Sequence, residues 1–346
     1  MKSLPARFMR LPTPIGLDLG TSQIKAAQAS PTGKGLDWRT AVIPRDQPGV
    51  PFTSREFGRI TGALRRNGFS GSKVVLGTPR DAVRASTLDL PANQPDALRR
   101  ASARAELGQM HQIDPSGFEL LTWPSPQPPR ATPVDRLLAL VCPHDDANVL
   151  LDGAEAAGLA PVALTPASLG LAMALNNTPG VTVVVDLGWT GAAVVGLRDR
   201  RPFYERVLNG TSLAKLCEQP IGNETLDSAS AAWAIGAGRA THPGVALAVA
   251  PLIARYVEAV ATQLRASMTY LSQCMPDERI TAVTAIGGPT GDAELLGLLE
   301  DQSGIQVRPW EDRSAGPNAQ LVSLAQGLAL LGASEATRGE RREAAA

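Results

Sequence analysis

The strongest constraint on the fold of this chain is a short pattern that occurs twice. Residues 15–28 read IGLDLGTSQIKAAQ, and residues 181–196 read VTVVVDLGWTGAAVVG. Each stretch contains an apolar strand, the triplet Asp-Leu-Gly, a turn of small or hydroxyl residues and a second apolar strand, which is the pattern of a β-hairpin. Because the similar segments lie about half the chain apart, the sequence predicts two related halves.

The turn of the first hairpin has the composition of an anion-binding site. Gly20, Thr21 and Ser22 leave several backbone N–H groups unpaired and directed into one small volume, which suits phosphate. Lys25 can add a positive charge beside that phosphate. Asp18 offers a carboxylate to a hydrated Mg²⁺, because Mg²⁺ keeps most of its water and takes one or two carboxylates. An ordinary hairpin can carry the same residue types, so the alternative that this turn has only a structural role stays open.

The composition excludes several classes of protein. The chain has 346 residues, which is room for about two domains. It has 33 Lys and Arg residues against 33 Asp and Glu residues, so it lacks the positive excess that is typical of proteins that bind nucleic acid or anionic membranes. The three cysteines form no Cys-x-x-Cys pair, which predicts reduced thiols. No run approaches about 18 apolar residues, so we expect a cytoplasmic protein without a membrane span.

The order of predicted strands and helices divides the chain into four segments. Near residue 83 the pattern becomes strand, helix, strand, Pro-rich loop, strand and helix, which predicts a small α+β domain inserted into the first half. The predicted segments are a first main domain at 14–82 plus 159–179, an inserted domain at 83–158, a second main domain at 180–332 and a disordered tail at 333–346.

Two helices of the second half have predicted boundaries. Apolar residues at helical spacing predict that the longest helix covers Pro251–Met275, with Pro251 in its first turn and Pro276 at its end. A final helix is predicted over Asn318–Leu331, and Gly332 closes it.

A third glycine turn completes the pattern, because Gly287-Gly288 follows a predicted strand at 280–286. Two hairpins and a later Gly-Gly turn resemble the actin-like ATPase superfamily, in which the hairpins clamp phosphates from opposite sides and the Gly-Gly turn packs on the nucleoside. The resemblance implies an α/β, actin-like ATPase fold. It would contain two ribonuclease-H-like domains around a nucleotide cleft, with a small α+β domain inserted in the first.

The order of the parts narrows the resemblance to the PilM family of type IV pilus inner-membrane platform proteins, and more distantly to the FtsA division proteins. The resemblance covers roughly residues 14–332. The motifs that carry it are the hairpin at 16–25, Leu90-Pro91, the helix with Glu106, Ala157-Gly-Leu159, Asp186-Leu-Gly188, the turn Arg206 to Asn209-Gly210, Gly287-Gly288 and the stretch 325–330.

This resemblance implies a cytoplasmic adaptor that binds ATP and Mg²⁺ and is held at the inner face of the inner membrane by its partner, without inserting directly. The implied partner is the N-terminal cytoplasmic peptide of a PilN-like membrane protein, with other pilus platform or motor proteins as further candidates. The implied cofactor-binding residues are Asp18, Gly20, Thr21, Ser22, Lys25, Asp186, Gly188, Thr190, Gly210, Gly287 and Gly288. The implied Mg²⁺ site, reached through water, is Asp18 with Asp186.

Three departures from the wider superfamily concern hydrolysis. Trp189 stands in the second hairpin, where relatives usually carry small or hydroxyl residues. The stretch Thr165-Pro166-Ala167 has no acid that could orient an attacking water. Between Lys215 and Pro251 there are Glu218 and Glu224 but no lysine to form the pair that usually flanks adenine. We therefore expect slow or absent ATP turnover and assign no catalytic residue.

Other functions stay open on the sequence. A small-molecule kinase of the same superfold would need a catalytic carboxylate aimed at its acceptor, and none stands out beyond the two hairpins. An FtsA-like scaffold would form filaments that scatter light. An actin-like core that has lost its nucleotide would keep the turns as structure only.

Overall fold

The computed structural model describes residues 11–33, 35–129, 133–175, 180–217, 243–311 and 319–343. Its strands are β1 Ile15–Leu19, β2 Gln23–Thr32, β3 Gly35–Pro44, β4 Lys73–Gly77, β5 Arg84–Pro91, β6 Phe118–Pro124, β7 Val134–Pro143, β8 Ala160–Thr165, β9 Val181–Leu187, β10 Ala192–Arg198, β11 Arg201–Leu208, β12 Ala282–Ile286 and β13 Gln306–Pro309. Its helices are α1 Ser54–Arg66, α2 Asp96–His111, α3 His144–Ala156, α4 Ala167–Ala174, α5 Leu213–Cys217, α6 Pro243–Cys274, α7 Ala293–Ser303 and α8 Ala319–Glu343. Short 3₁₀ helices cover Arg80–Ala82 and Gly288–Gly291.

Two five-stranded sheets have the same strand order, β3-β2-β1-β4-β8 in the first half and β11-β10-β9-β12-β13 in the second. In each sheet the central strand pairs antiparallel with the other strand of its hairpin and parallel with the strand on its other side. This shared connectivity confirms the predicted α/β class and the predicted pair of related halves. It also places one hairpin turn at the carboxyl end of each central strand.

A third, antiparallel sheet with the order β5-β7-β6 forms the inserted part of the chain. One face of this sheet packs against α2, and the buried core between them contains Leu88, Leu107, Phe118, Ala139 and Val141. Strands of this sheet also lie against β11 of the second half. Strand β7 of the insert also contacts α3, which packs on the first half, so the insert contacts both halves of the molecule.

Helix α3 packs with the first half rather than with the insert alone. It precedes β8 as α7 precedes β13 in the second half. Its Leu150 and Ala154 belong to the core of the first half, and a Cβ at Gly153 would lie 2.8 Å from the ring of Phe57. We therefore propose that the insertion ends near Pro143, before α3, instead of at residue 158.

Helices α4 and α8 pair between the two five-stranded sheets. The apolar cluster around them takes residues from both sheets, including Val75 of β4 and Val184 of β9. The helices cross closely, because a Cβ at Gly327 would lie 1.8 Å from the carbonyl oxygen of Gly170. Helix α8 also lies on β1, where a Cβ at Gly16 would be 2.0 Å from the Ala325 carbonyl oxygen. The last helix of the chain therefore fastens the second half to the first.

Two predicted helix ends are wrong. Helix α6 begins at Pro243, so Pro251 lies inside it and not in its first turn, while the predicted apolar stripe is buried as expected. Helix α8 continues through Gly332 to Glu343, so Gly332 does not close it and the residues predicted as a disordered tail are helical to that point. Gly332 serves packing instead, because a Cβ there would lie 2.6 Å from Val75.

Candidate functional site: a cleft between two hairpin turns

A cleft of about 350 Å³ opens between the two halves, at the carboxyl ends of their central strands. This volume lies within the range of roughly 300–1,000 Å³ that is usual for small-molecule sites. Of the predicted cofactor-binding residues, those that line the cleft are Asp18, Gly20, Thr21, Ser22, Lys25, Asp186, Gly188, Thr190, Gly287 and Gly288. The structure therefore brings together residues from three distant parts of the sequence.

The first hairpin presents an ion pair to the cleft. Asp18 and Lys25 are register partners in the β1–β2 ladder, and Lys25 Nζ lies 3.1 Å from Asp18 Oδ2. Burial raises the pKa of the Asp18 carboxyl above its usual value, Lys25 opposes that rise, and the nearby Asp186 adds to it. The carboxylate thus faces both a cation of its own hairpin and the acid of the other one.

The two turns share one local geometry. A Cβ at Gly20 would lie 2.5 Å from the carbonyl oxygen of Gln23, and a Cβ at Gly188 would lie 2.6 Å from that of Gly191. Both contacts join a glycine to the third residue after it, so each turn needs glycine at the same place. Across the cleft, Thr21 Oγ1 and Thr190 Oγ1 are 3.1 Å apart and form a hydrogen bond.

Arg80 is the main site residue that the sequence analysis missed. It stands in the 3₁₀ turn after β4, reaches across the cleft and forms an ion pair with Asp186. Its Nη1 also donates to the carbonyl oxygen of Gly191 at 2.7 Å. A signal was present, because Arg80 follows the end of a strand parallel to β1, and the carboxyl ends of parallel strands meet at one edge of a sheet.

The Gly-Gly turn closes the far side of the cleft. Gly287 has a φ of +100°, and a Cβ there would lie 2.3 Å from the Leu187 carbonyl oxygen. Thr290 Oγ1 donates to the Gly287 carbonyl oxygen at 2.6 Å, and the Asp292 side chain then caps α7. Gly287 therefore lets this turn pack directly on the second hairpin. Further lining residues without a predicted role are Thr78, Pro79, Gln320 and Ser323.

Gly210 is the predicted site residue that the structure places outside the cleft. It forms the turn before α5 at a φ of +74°, with open space around it. Its neighbour Thr211 supports the second hairpin from behind, since Ala192 N–H donates to Thr211 Oγ1 at 2.8 Å. Trp189 is buried in the core of the second half and also lines the cleft.

Arg45 fixes the first turn from outside and was not singled out in the sequence. Its backbone N–H donates to the Ser22 carbonyl oxygen at 3.0 Å. Its buried guanidinium pairs with Glu56 of α1 at 2.7 Å and lies 3.9 Å from the centre of the Phe52 ring. Because this pair is buried and anchored on a helix, it holds the turn in one conformation.

The residues fit a nucleotide better than they fit a metal ion. The tight turns at Gly20 and Gly188 line the cleft with backbone, which suits phosphate, and Gly288 has open space at its Cβ position, which suits a flat ring. The two aspartates, by contrast, are each already paired with a basic side chain. Within the described ranges there is no cluster of three or more His, Cys, Asp or Glu that could hold a metal. The predicted Glu218 and Glu224 lie outside the described residues.

Comparison with known proteins identifies the fold of this chain. A scan against protein-family models and a search of curated proteins return no match. The solved PilM-PilN type IV pilus biogenesis complex matches with a TM-score of 0.70 and 18% identity over 92% of this chain and 98% of that chain. Ethanolamine utilization protein EutJ from Carboxydothermus hydrogenoformans matches at 0.53 with 14% identity, over 95% and 91%. The fold is that of the actin-like ATPases.

This likeness confirms the predicted fold and the predicted structural resemblance to PilM. At 18% identity it establishes the fold alone. Within the described part of the chain, no helix has both the length and the apolar character needed to cross a membrane.

Proposed function

We propose that this chain is an ATP-binding adaptor of a type IV pilus or related secretion platform, with weak or no ATP hydrolysis. The observation that carries the proposal is the cleft itself, where two glycine turns of matching geometry and a Gly-Gly turn face one volume of about 350 Å³. The fold shared with PilM over nearly the whole chain supports the assignment to such a platform.

Each of the three turns contacts a different part of the nucleotide. The backbone N–H groups of residues 20–22 and 189–190 bind the phosphates from opposite sides, and Lys25 adds a positive charge. The Gly188 N–H closes the second turn instead, because it donates to the Gly191 carbonyl oxygen at 3.0 Å. The turn at Gly287-Gly288 packs on the nucleoside, since Gly288 has open space where a side chain would stand. ATP then acts as a ligand that holds the two halves together.

The charged groups that line the cleft favour slow hydrolysis of ATP. Among the residues that line the cleft, the carboxylates are Asp18 and Asp186, and both are neutralised by a basic neighbour. A carboxylate in an ion pair is a weak base toward an attacking water. Helix α4 opens with Pro166 and Ala167, which supply no acid. The same shortage argues against a kinase, which needs a free carboxylate for its acceptor.

The proposed partner is the N-terminal cytoplasmic peptide of a PilN-like single-span membrane protein. The solved structure that this chain resembles contains PilM together with PilN. We propose that the present chain is cytoplasmic and peripheral, bound to the inner membrane through that partner, and that other platform or motor proteins are further candidates.

Thermal melting with saturating ATP in a Mg²⁺ buffer tests the nucleotide. Ligand at 100 times its dissociation constant stabilises a fold by about 2.7 kcal/mol, so the melting temperature should rise by roughly 5 °C. Lys25→Ala should lose most of that rise, whereas Lys73→Ala, an exposed lysine at the start of β4, should keep it. An unchanged melting curve of the wild type with ATP would contradict the proposal.

Affinity capture from membranes tests the adaptor. Tagged wild type should recover a small single-span membrane protein, and Lys25→Ala should recover less of it than Lys73→Ala does. Equal recovery by both variants would keep the adaptor but remove ATP as its regulator. Recovery of no membrane protein would return the kinase to consideration, to be tested with a panel of acceptor substrates, while polymer in light scattering would favour a filament-forming scaffold.

A further inference from the structure

Both carboxylates in the cleft carry a cation supplied by the protein. Lys25 lies 3.1 Å from Asp18, with side-chain exposures of 13% and 17%, and Arg80 pairs with Asp186, with exposures of 28% and 19%. Charges that are this well shielded are screened little by salt. Separating a shielded pair leaves an uncompensated charge, which is costly. The two pairs are therefore fixed parts of the site.

Arg80 is held more firmly than a single ion pair would hold it. Its guanidinium uses Nη2 for Asp186 and Nη1 for the Gly191 carbonyl oxygen at 2.7 Å, so it binds the second hairpin at two points. Its backbone belongs to a 3₁₀ turn of the first half. A planar guanidinium makes such two-point contacts in a fixed geometry and stays charged at every accessible pH. Arg80 is thus a permanent cation beside Asp186.

A divalent ion has no free acid to bind here. Mg²⁺ is usually held by one or two carboxylates together with phosphate oxygens. Arg80 binds Asp186 through Oδ2 and Lys25 binds Asp18 through Oδ2, so an ion at either carboxylate would compete with a basic side chain. Among the described residues no third acid completes a metal cluster.

We propose that Arg80, together with Lys25, takes the place of the divalent ion, so that this cleft binds ATP with an affinity that does not depend on Mg²⁺. The inference rests on the proposed ATP binding and concerns the same site. Two cations offset the two carboxylates, and the backbone N–H groups of the turns then meet the phosphates. Because Arg80 reaches from the first half to the second, it is also a positioning residue for the second turn.

Isothermal titration with ATP, in excess EDTA and in excess Mg²⁺, tests the inference on three proteins. The wild type should show dissociation constants within about threefold of each other in the two buffers. Arg80→Gln should bind at least tenfold more weakly in EDTA than in Mg²⁺, which is about 1.4 kcal/mol, because Asp186 then repels the phosphates unless a metal screens it. Arg100→Gln removes the same charge from the exposed side of α2 and should behave as wild type.

The outcomes separate this inference from the function beneath it. Wild type that binds ATP in Mg²⁺ but at least tenfold more weakly in EDTA would overturn the inference and leave ATP binding in place. An Arg80→Gln variant with no dependence on Mg²⁺ would also overturn it. Wild type that binds ATP in neither buffer would overturn both proposals. A circular dichroism melt of Arg80→Gln verifies its fold, and the wild-type comparison decides the matter even if that variant unfolds.

Discussion

Gly287 stands where the backbone leaves no room for a side chain. Its φ of +100° is unfavourable for other residues, and a Cβ there would lie 2.3 Å from the Leu187 carbonyl oxygen and 3.0 Å from Asp186 Oδ1. Gly288, the next residue, has nothing within 4 Å of its Cβ position. Two adjacent glycines therefore have different roles, and the first one keeps the turn on the second hairpin.

Gly287→Ala should lower the free energy of unfolding by about 2 kcal/mol or more, because both strain and collision act at this position. Gly288→Ala should change it by less than about 0.5 kcal/mol. Chemical denaturation of the two variants without nucleotide measures the difference. Equal stability of the two variants would show that the turn is not packed as described.

The buried carboxylate of Glu205 in β11 is not fully paired. No donor among the described residues reaches its Oε2 within hydrogen-bond distance. Burial raises the pKa of the Glu205 carboxyl, and Asp186 adds to the rise, while Ser168 and Arg80 partly oppose it. Between the unfolded pKa and the raised folded pKa, the folded state holds more protons, so stability falls as the pH rises through this window.

Glu205→Gln should therefore melt above the wild type at pH 7, by roughly 2 °C, because the buried charge is removed. The advantage should shrink as the pH falls below 7, because the raised pKa lets the folded wild-type carboxyl take up its proton earlier than an ordinary glutamate does. Melting curves across this pH range test the prediction against Glu258→Gln, which removes an exposed charge of α6. An advantage that grows on acidification would have the wrong sign.

The packing of helices α4 and α8 depends on a glycine at the point where they cross. At their crossing, a Cβ on Gly327 would lie 1.8 Å from the Gly170 carbonyl oxygen, so the two backbones are in contact. Such close crossing is possible only for glycine. In α7, by contrast, Gly297 has open space at its Cβ position.

Gly327→Ala should destabilise the protein by about 3 kcal/mol, because the helices must move apart in a packed layer. Gly297→Ala should instead stabilise it by about 0.5–1 kcal/mol, since alanine is the better helix former. Urea unfolding of both variants gives opposite signs if the crossing is as described. A neutral Gly327→Ala would contradict it.

The limits of prediction from sequence are visible in these elements. Alternation and helical spacing located the hairpins and the buried stripe of α6, because these signals are local. Gly332 looked like a helix end, but it is a contact with Val75 that the sequence does not reveal. Pro251 looked like a first turn, but burial of the stripe outweighs the hydrogen bond that proline removes inside the helix.

Several contacts between described residues join the two halves of the molecule. Helix α8 lies on β1 of the first sheet, Thr21 bonds to Thr190, and Arg80 pairs with Asp186. The insert adds a further connection, because Arg136 of β7 binds Asp89 at 2.6 Å and Tyr270 of α6 at 3.2 Å. The cleft therefore lies between two halves that are also held together by contacts elsewhere.

The sequence predicted the part of the candidate site that occurs in both halves of the chain. The turns at Gly20 and Gly188 share a pattern, and the sequence therefore placed them together. Arg80 escaped notice because its partner lies in the other half, and Gly210 was included because it belongs to a motif of the family resemblance. Contacts between distant segments depend on the fold, so the sequence signal for Arg80 was limited to its place after the end of β4.

Hydrogen–deuterium exchange with and without ATP reports all three turns of the cleft in one experiment. We expect slower exchange with ATP at residues 18–22, 186–191 and 287–290 together, and a loss of that protection in Lys25→Ala. No protection by ATP, or protection confined to one half of the molecule, would contradict a nucleotide held between the two hairpins.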